Sequence, residues 1–585
     1  MKEKPVFTAL KQQAVDSFQR FLSGGDFPAY PLEIFLEVSN VCNMKCAMCS
    51  VFSELNPKRL LVLKSSDRGF MPDDHLGALD SLLSHALLVH CFGYGEPTIH
   101  PRFAELLDFL LDKEVLVDFF TNGMNLTPEL CRFLVDRSVF RITVSFSGAT
   151  KDDYENMYLD GRYETVLEGI ERIAQLKAAR GGRYPLIEIN SIAFQHHVDR
   201  LPAFVEQMAA RGVDTIYLKP LHMSEVLPEL HSHAAVMRPW HEGKLIAEAE
   251  RVAAEHRIHF VDEFSNVTRV GAPEQEAAVR RQLLWGDKVA EVAVPLAEFK
   301  SLARAVQPIR PPKGNEVGTR RVTAMDQTPE TIRPFLKLRA LDTPPASMCY
   351  EPFKTLYVSQ QGAIRPCCFG FTEAHLGHLD AHPAEAIWNG IGFHTVRKAI
   401  SKGRYPMQIC KACLQQKSYP KHLNFRGMVD AYASWLKAVS GQTFISDASF
   451  SAQLFVDTGS AFNEAESVIQ PIVPDRDQVV EFDVSCFPEI KGLRFDPFNA
   501  PTRVVVSAAT AIGERGEQFP LALSPLNGTM TAAGEMQFDT DDPQVHVEGF
   551  PASGCRKLIV SLRCYLERPG QDAAASGSDM AVLSN

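Results

Sequence analysis

The chain has 585 residues, of which 45% are hydrophobic and 22% charged, and its formal net charge is -11. This is the balance of a soluble globular protein of about two to four domains, and it excludes a general nucleic-acid binder, which needs a basic face to neutralise phosphates. No apolar run reaches membrane-spanning length and MKEKPVFTAL lacks a secretory signal, so no membrane partner and a cytoplasmic location are expected; there, the 13 cysteines are metal ligands or buried fillers rather than disulfides.

Residues 1–30 read as an N-terminal helical segment. From 31 to 220 the chain alternates strand-like runs with amphipathic helix-like ones. The strands are IFLEV, ALLVHCFG, VLVDFFT, FRITVSFSG, LIEINSIAF and DTIYLKP. The helices between them, such as FAELLDFLLDK and TVLEGIERIAQLKAARGG, carry apolar residues at three- and four-residue spacing and several end in Lys/Arg and Gly. Six such alternations predict an α/β core of parallel βα units. Residues 221–348 form a helical and loop insertion, with a polar, Pro/Gly-punctuated loop at 309–321. Residues 349–432 hold the second cysteine set. Residues 444–566 change to short strands separated by turn residues, predicting an all-β, sandwich-like accessory domain, and residues 567–585 form a small, polar, disordered tail.

The first strand runs into EVSNVCNMKCAMCS, which places Cys42, Cys46 and Cys49 at Cys-x3-Cys-x2-Cys spacing. Three thiolates can hold three irons of a cubane and leave the fourth open to chemistry, whereas a closed structural site would use four ligands. In the second set, Cys349 precedes a strand, a turn at Gln360-Gln361-Gly362 would return Cys367 towards it, and Cys410-x2-Cys413 makes a knuckle. Four such thiolates can close a [4Fe–4S] cluster or a zinc site. Cys368 is an alternative ligand but the better bystander, since adjacent side chains diverge on an extended chain. Cys91, Cys131, Cys486, Cys555 and Cys564 read as small apolar fillers.

The triplet after a first strand, within repeated βα units, resembles the radical S-adenosylmethionine (SAM) superfamily over residues 31–220. The resemblance implies a partial (β/α)6 barrel, and a [4Fe–4S] cluster whose open iron is chelated by the amino and carboxylate groups of SAM, from which a 5′-deoxyadenosyl radical is released. It further implies SAM contacts from Gly93, Tyr94, Gly95 and Glu96, similar to the family's Gly-Gly-Glu-Pro motif with Tyr94 at the second glycine. Asn122 after the third strand, Ser145 after the fourth, Asn190 on the fifth and Met48 against adenine complete the expected contacts. Downstream, residues 349–432 resemble the SPASM/twitch auxiliary-cluster extension, more closely its single-cluster twitch form, implying an auxiliary [4Fe–4S] cluster on Cys349, Cys367, Cys410 and Cys413.

Three functions follow as expectations. The first is a radical SAM oxidoreductase, a dehydrogenase of a sugar or polyol, with the auxiliary cluster as electron sink; it rests on the single-cluster likeness and on the β domain. Its catalytic base is unassigned among His100, Glu188 and Lys219. The second is a peptide- or protein-modifying maturase of the same superfamily. The roughly thirty residues before the first strand are too few for an appended peptide-recognition domain, which weighs against it. The third is a non-catalytic, metal-stabilised binding protein. The first two require an electron donor such as flavodoxin or ferredoxin, and a small-molecule (carbohydrate) or peptide substrate.

Overall fold

The computed structural model describes residues 7–566 except 23, 57–58, 60–67, 222–227, 285–338, 341–348, 369–374, 406–409, 411–424, 443, 445–449, 460, 464–465, 473, 475, 488, 500–501 and 541. Cys413, the loop at 309–321 and the tail at 567–585 therefore lie outside the described residues. The chain forms two compact units, one of Met1–Asn424 with Ser434–Gln442, the other of Phe425–Ala433 with Thr443–Asn585. No helix among the described residues is long and apolar enough to cross a membrane.

The first unit is built on β1 (Glu33–Leu36), β2 (Leu88–Cys91), β3 (Leu116–Thr121), β4 (Arg141–Ser145), β5 (Leu186–Ile192), β6 (Thr215–Lys219) and β7 (His259–Asp262). After the two-residue β8 (Arg339–Ala340) come β9 (Thr355–Val358), β10 (Ala363–Arg365), β11 (Gly377–His378) and β12 (Arg404–Tyr405). One ten-stranded sheet runs β11-β10-β9-β1-β2-β3-β4-β5-β6-β7. Strands β1 to β7 pair in parallel and β9 joins β1 in parallel, while β10 pairs antiparallel with β9 and β11. The six expected strands are all present. A seventh, β7, is HFVD, a run with only two apolar residues and so without a strand-like pattern. The second cysteine segment adds its hairpin directly to the edge of β1, a pairing between residues far apart in sequence that periodicity cannot reveal.

Alternation along these strands sorts the side chains into two faces. Ile34, Leu36, Val89, Val117, Phe119, Ile142, Val144, Ile187, Ile189, Ile216 and Leu218 are all fully buried on one face, as expected where helices cover a parallel sheet. The other face is polar. His90, Asp118 and Arg141 stand in register across β2, β3 and β4, and Thr143 stands opposite Glu188. Asp118 takes His90 Nδ1 at 2.7 Å and the Arg141 Nε at 3.1 Å, and Thr143 Oγ1 donates to Glu188 at 3.1 Å. Burial alone would raise Asp118, but His90 and Arg141 outweigh it and hold its carboxyl down at about 2. Because this is below the unfolded value near ~3.9, its stabilisation is complete above about pH 4 and is lost as pH falls through 2. Asp118→Ala leaves the partly buried Arg141 without that partner and should cost about 3 kcal/mol in chemical denaturation at pH 7, with the difference from the parent shrinking in acid.

The second unit holds β13 (Ser451–Asp457), β14 (Ser467–Pro471), β15 (Gln478–Asp483), β16 (Gly492–Asp496), β17 (Thr502–Gly513), β18 (Gln518–Pro520), β19 (Ala522–Pro525), β20 (Thr529–Met530), β21 (Met536–Phe538), β22 (Val545–Glu548) and β23 (Cys555–Leu566). One sheet is ordered β14-β13-β16-β22-β19 and the other β15-β23-β17-β21-β20, with β18 on β17; all pairings are antiparallel. Leu454, Val456, Phe482, Phe495, Val547, Val560 and Leu562 alternate into a common core. Cys555 and Cys564 fill that core. Cys486 does not: it is exposed, because it follows the turn in which Ser485 N and Oγ both bond Asp483.

Candidate functional site

The loop after β1 that carries Cys42, Cys46 and Cys49 is pinned by main chain rather than by side-chain packing. Lys45 N donates to Leu159 O at 3.0 Å and Ala47 N to Met157 O at 2.8 Å. Both acceptors lie at the end of the helix Lys151–Met157, whose Thr150 cap accepts from Asp153 N. Two backbone donors point at the sulfurs: Met44 N lies 3.4 Å from Cys42 Sγ and Phe52 N 3.3 Å from Cys49 Sγ. Asn122 Nδ2 approaches Cys42 Sγ at 3.8 Å and bonds Asn43 Oδ1 at 2.7 Å. Burial pushes the Cys42 thiol up to about 12, with Glu96 and Cys49 adding to the rise, and Cys46 is raised by burial and by both neighbouring cysteines. N–H donors aimed at two of the three clustered cysteine sulfurs suit thiolates bound to iron.

Gly93, Tyr94, Gly95 and Glu96 lock that loop from the end of β2. Gly95 N donates to Ser39 O and Glu96 N to Val41 O at 2.8 Å. The glycines are there for close approach: a Cβ on Gly95 would meet Val41 O at 2.5 Å, and one on Gly93 would meet Glu37 Cγ at 2.3 Å. The Glu96 carboxylate, one of the expected SAM contacts, accepts four hydrogen bonds within the chain. Its Oε1 accepts from Thr98 N, Thr98 Oγ1 and Thr121 Oγ1, and its Oε2 from Asn122 N at 2.7 Å. It ties the ends of β2 and β3 together and so sets where Asn122 sits.

Ser145 and Asn190 stand directly opposite each other across β4 and β5, on the polar face. The Asn190 Oδ1 is buried with no hydrogen-bond partner. An orphaned amide oxygen on β5 beside the serine that ends β4 suits a bound ligand that brings hydroxyl or ammonium donors. Met48 lies half-buried in the cysteine loop. Of the base candidates, His100 has both ring nitrogens occupied, by Met71 O and Arg102 N, which is a structural role. Lys219 faces Glu263 at 3.8 Å. Glu188 is buried beside Thr143, with Arg141 Nε at 3.5 Å, and burial raises its carboxyl. Sequence reasoning missed Glu37, a buried carboxylate accepting from Tyr94 N at 3.1 Å and Gln360 N at 3.3 Å; its only signal was a charge directly after the apolar run Ile34–Leu36.

In the second set the β9–β10 hairpin turns at Gly362, at φ +87°, with Gly362 N bonded to Ser359 O. This brings Cys367 back towards Cys349. The Cys367 thiol is raised first by burial and then by Cys368, Cys349 and Cys410, so these four cysteines share one neighbourhood. Among the described residues no three His, Cys, Asp or Glu side chains converge tightly enough for a single metal ion. Cubane ligands each bind a different iron and need not converge in that way. Cys367→Ala is expected to lower reconstituted iron by about four atoms per chain while SAM cleavage at the first set persists; iron analysis beside a 5′-deoxyadenosine assay reads both.

Residues 36–201 match the family model described as the Radical SAM superfamily, and residues 349–414 the one described as an iron-sulfur cluster-binding domain, SPASM. The chain is 25% identical over 264 residues to mycofactocin maturase MftC of Mycolicibacterium smegmatis, covering 44% of this chain and 60% of that one. It is 24% identical over 192 residues to the tungsten-containing aldehyde ferredoxin oxidoreductase cofactor-modifying protein of Pyrococcus furiosus, covering 32% and 51%. The matches thus span less than two thirds of these relatives' length. Among solved structures, SuiB of Streptococcus suis bound to precursor peptide SuiA is 12% identical, covers 65% of this chain and 69% of that one, and has a TM-score of 0.39.

Proposed function

We propose, from the premise that the chain carries a radical SAM domain followed by a SPASM iron–sulfur cluster-binding domain, that it is a maturase that modifies a peptide or protein precursor. The observation that carries this reading is the similarity to mycofactocin maturases of several mycobacteria, with a cofactor-modifying protein also among the relatives. None of the relatives named above supports the sugar or polyol dehydrogenase reading, which is the weaker of the two. A purely structural zinc role fits poorly with a radical SAM match over residues 36–201.

In this reading Cys42, Cys46 and Cys49 would hold the SAM-binding [4Fe–4S] cluster, and Cys349, Cys367, Cys410 and Cys413 the auxiliary one. When bound, the clusters and SAM supply the 5′-deoxyadenosyl radical that takes hydrogen from the substrate. The chain's own part is positional. Glu96 and the two glycines fix the cysteine loop, Asn122 braces Cys42, and Ser145 with the Asn190 Oδ1 offers hydrogen bonds at the strand ends. A flavodoxin or ferredoxin in a reducing cytoplasm would supply electrons. The test is anaerobic reconstitution with SAM, reductant and peptides encoded beside the gene. The expected result is 5′-deoxyadenosine together with a mass change on one peptide. SAM cleavage with polyol oxidation and no peptide change would return the assignment to the dehydrogenase.

A further inference from the structure

Three Lys or Arg side chains among the described residues are almost fully buried, and two of them, though Arg397 keeps an unpartnered Nη2, hold hydrogen bonds to carbonyl oxygens. Lys11 Nζ bonds Ala86 O at 2.8 Å and Ser84 O at 3.3 Å. Arg397 bonds Pro352 O and Trp388 O and lies over the Trp388 ring at 4.0 Å. Arg365 is 5% exposed, and its Nε has no hydrogen-bond partner. Among the described residues it makes neither a side-chain hydrogen bond nor an ion pair. A buried guanidinium left in this state is costly unless an anion completes it.

Its surroundings narrow the anion. Arg365 stands opposite Tyr357 on β9, and Tyr357 opposite Phe35 on β1, so the side chain shares the polar face with Glu37. The groups acting on it are Tyr357, Glu37 and Tyr94, with no cysteine among them. Tyr94 in turn feels Cys49. Tyr357 likewise feels Cys368 of the second set, so what places the guanidinium is its register, on the Glu37 face of the sheet. Glu37 is nearby, but its two oxygens serve Tyr94 N and Gln360 N. In the radical SAM resemblance the carboxylate of SAM is committed to the open iron, which leaves a carboxylate of the substrate.

We propose that Arg365 anchors a carboxylate of the peptide substrate on the sheet face it shares with Glu37, through the paired hydrogen bonds a guanidinium offers to that group. The proposal deepens the maturase reading and rests on it.

The test uses the reconstituted full chain with SAM and no reductant, so that binding is read without turnover. The probes are N-acetyl-diglycine, carrying a terminal carboxylate, N-acetyl-glutamate amide, carrying a side-chain carboxylate, and N-acetyl-diglycine amide, carrying neither. Saturable thermal stabilisation by one or both acids, and none by the neutral amide, is expected; which acid binds tells a C-terminus from an acidic side chain. Arg365→Met should weaken that binding at least about tenfold, with SAM affinity and the electron paramagnetic resonance spectra of both clusters unchanged. Arg365→Lys should recover part of the binding, and it serves as the variant should the methionine chain not fold. Equal binding of acid and amide, or no binding of either acid, overturns the proposal. So does an equal loss of SAM affinity in Arg365→Met, or a change confined to the auxiliary-cluster spectrum. Failure of peptide modification with acid binding intact would instead count against the maturase reading alone.

Discussion

Replacing Cys46 with alanine is expected to abolish SAM cleavage and to remove about four irons per chain on reconstitution. Three thiols can hold a cubane only if all three reach it, and the loop leaves no spare donor: no histidine lies between Cys42 and Cys49. With one ligand of the SAM-binding cluster removed, 5′-deoxyadenosine formation should fall by more than about three orders of magnitude. The fold should survive. The loop's anchors are Lys45 N to Leu159 O and Ala47 N to Met157 O, main-chain bonds that the substitution does not touch. Circular dichroism matching the parent, beside lost iron and lost cleavage, is the expected pair of readings. Full iron content and parental SAM cleavage in Cys46→Ala would remove the basis for the radical reading of this chain.

What the sequence made legible was whatever repeats locally. Six strands could be read because each alternates with a helix of its own, and the order of the Gly93–Glu96 motif, Asn122, Ser145 and Asn190 follows from their places at successive strand ends. The direct facing of Ser145 and Asn190 across β4 and β5 is the consequence of that regularity. What could not be read depends on chain segments far apart meeting. The addition of β9 to β1 brings Arg365 to the same face as Glu37, and neither residue carries a sequence signal of that meeting. Glu96 shows a second limit. Its motif marks the position, but only the structure shows its oxygens filled by Thr98, Thr121 and Asn122, so that it braces the site from within.

The glycines of that motif give the second large effect. A Cβ at Gly95 would lie 2.5 Å from Val41 O and 2.6 Å from both Ser39 O and Val41 N. These are main-chain atoms of the segment leading into Cys42, and the same segment accepts Gly95 N and Glu96 N. Gly95→Ala cannot be relieved by a rotamer change. The loop must move, breaking those bonds, at about 1–3 kcal/mol of overpacking strain. An ångström of displacement at a reacting centre costs about a hundredfold in rate, so SAM cleavage should fall by about that factor, with iron retention reduced as well. At Gly93 the obstruction is the Glu37 side chain, Cγ at 2.3 Å and Oε1 at 2.7 Å. Gly93→Ala should therefore be partly rescued by Glu37→Ala, which removes both atoms. No side-chain deletion should rescue Gly95→Ala, and cleavage rates of the two rescue pairs, measured side by side, distinguish a loop held by main chain from one held by packing. Rescue of Gly95→Ala by Glu37→Ala would mean that the motif does not grip the cysteine loop through its backbone.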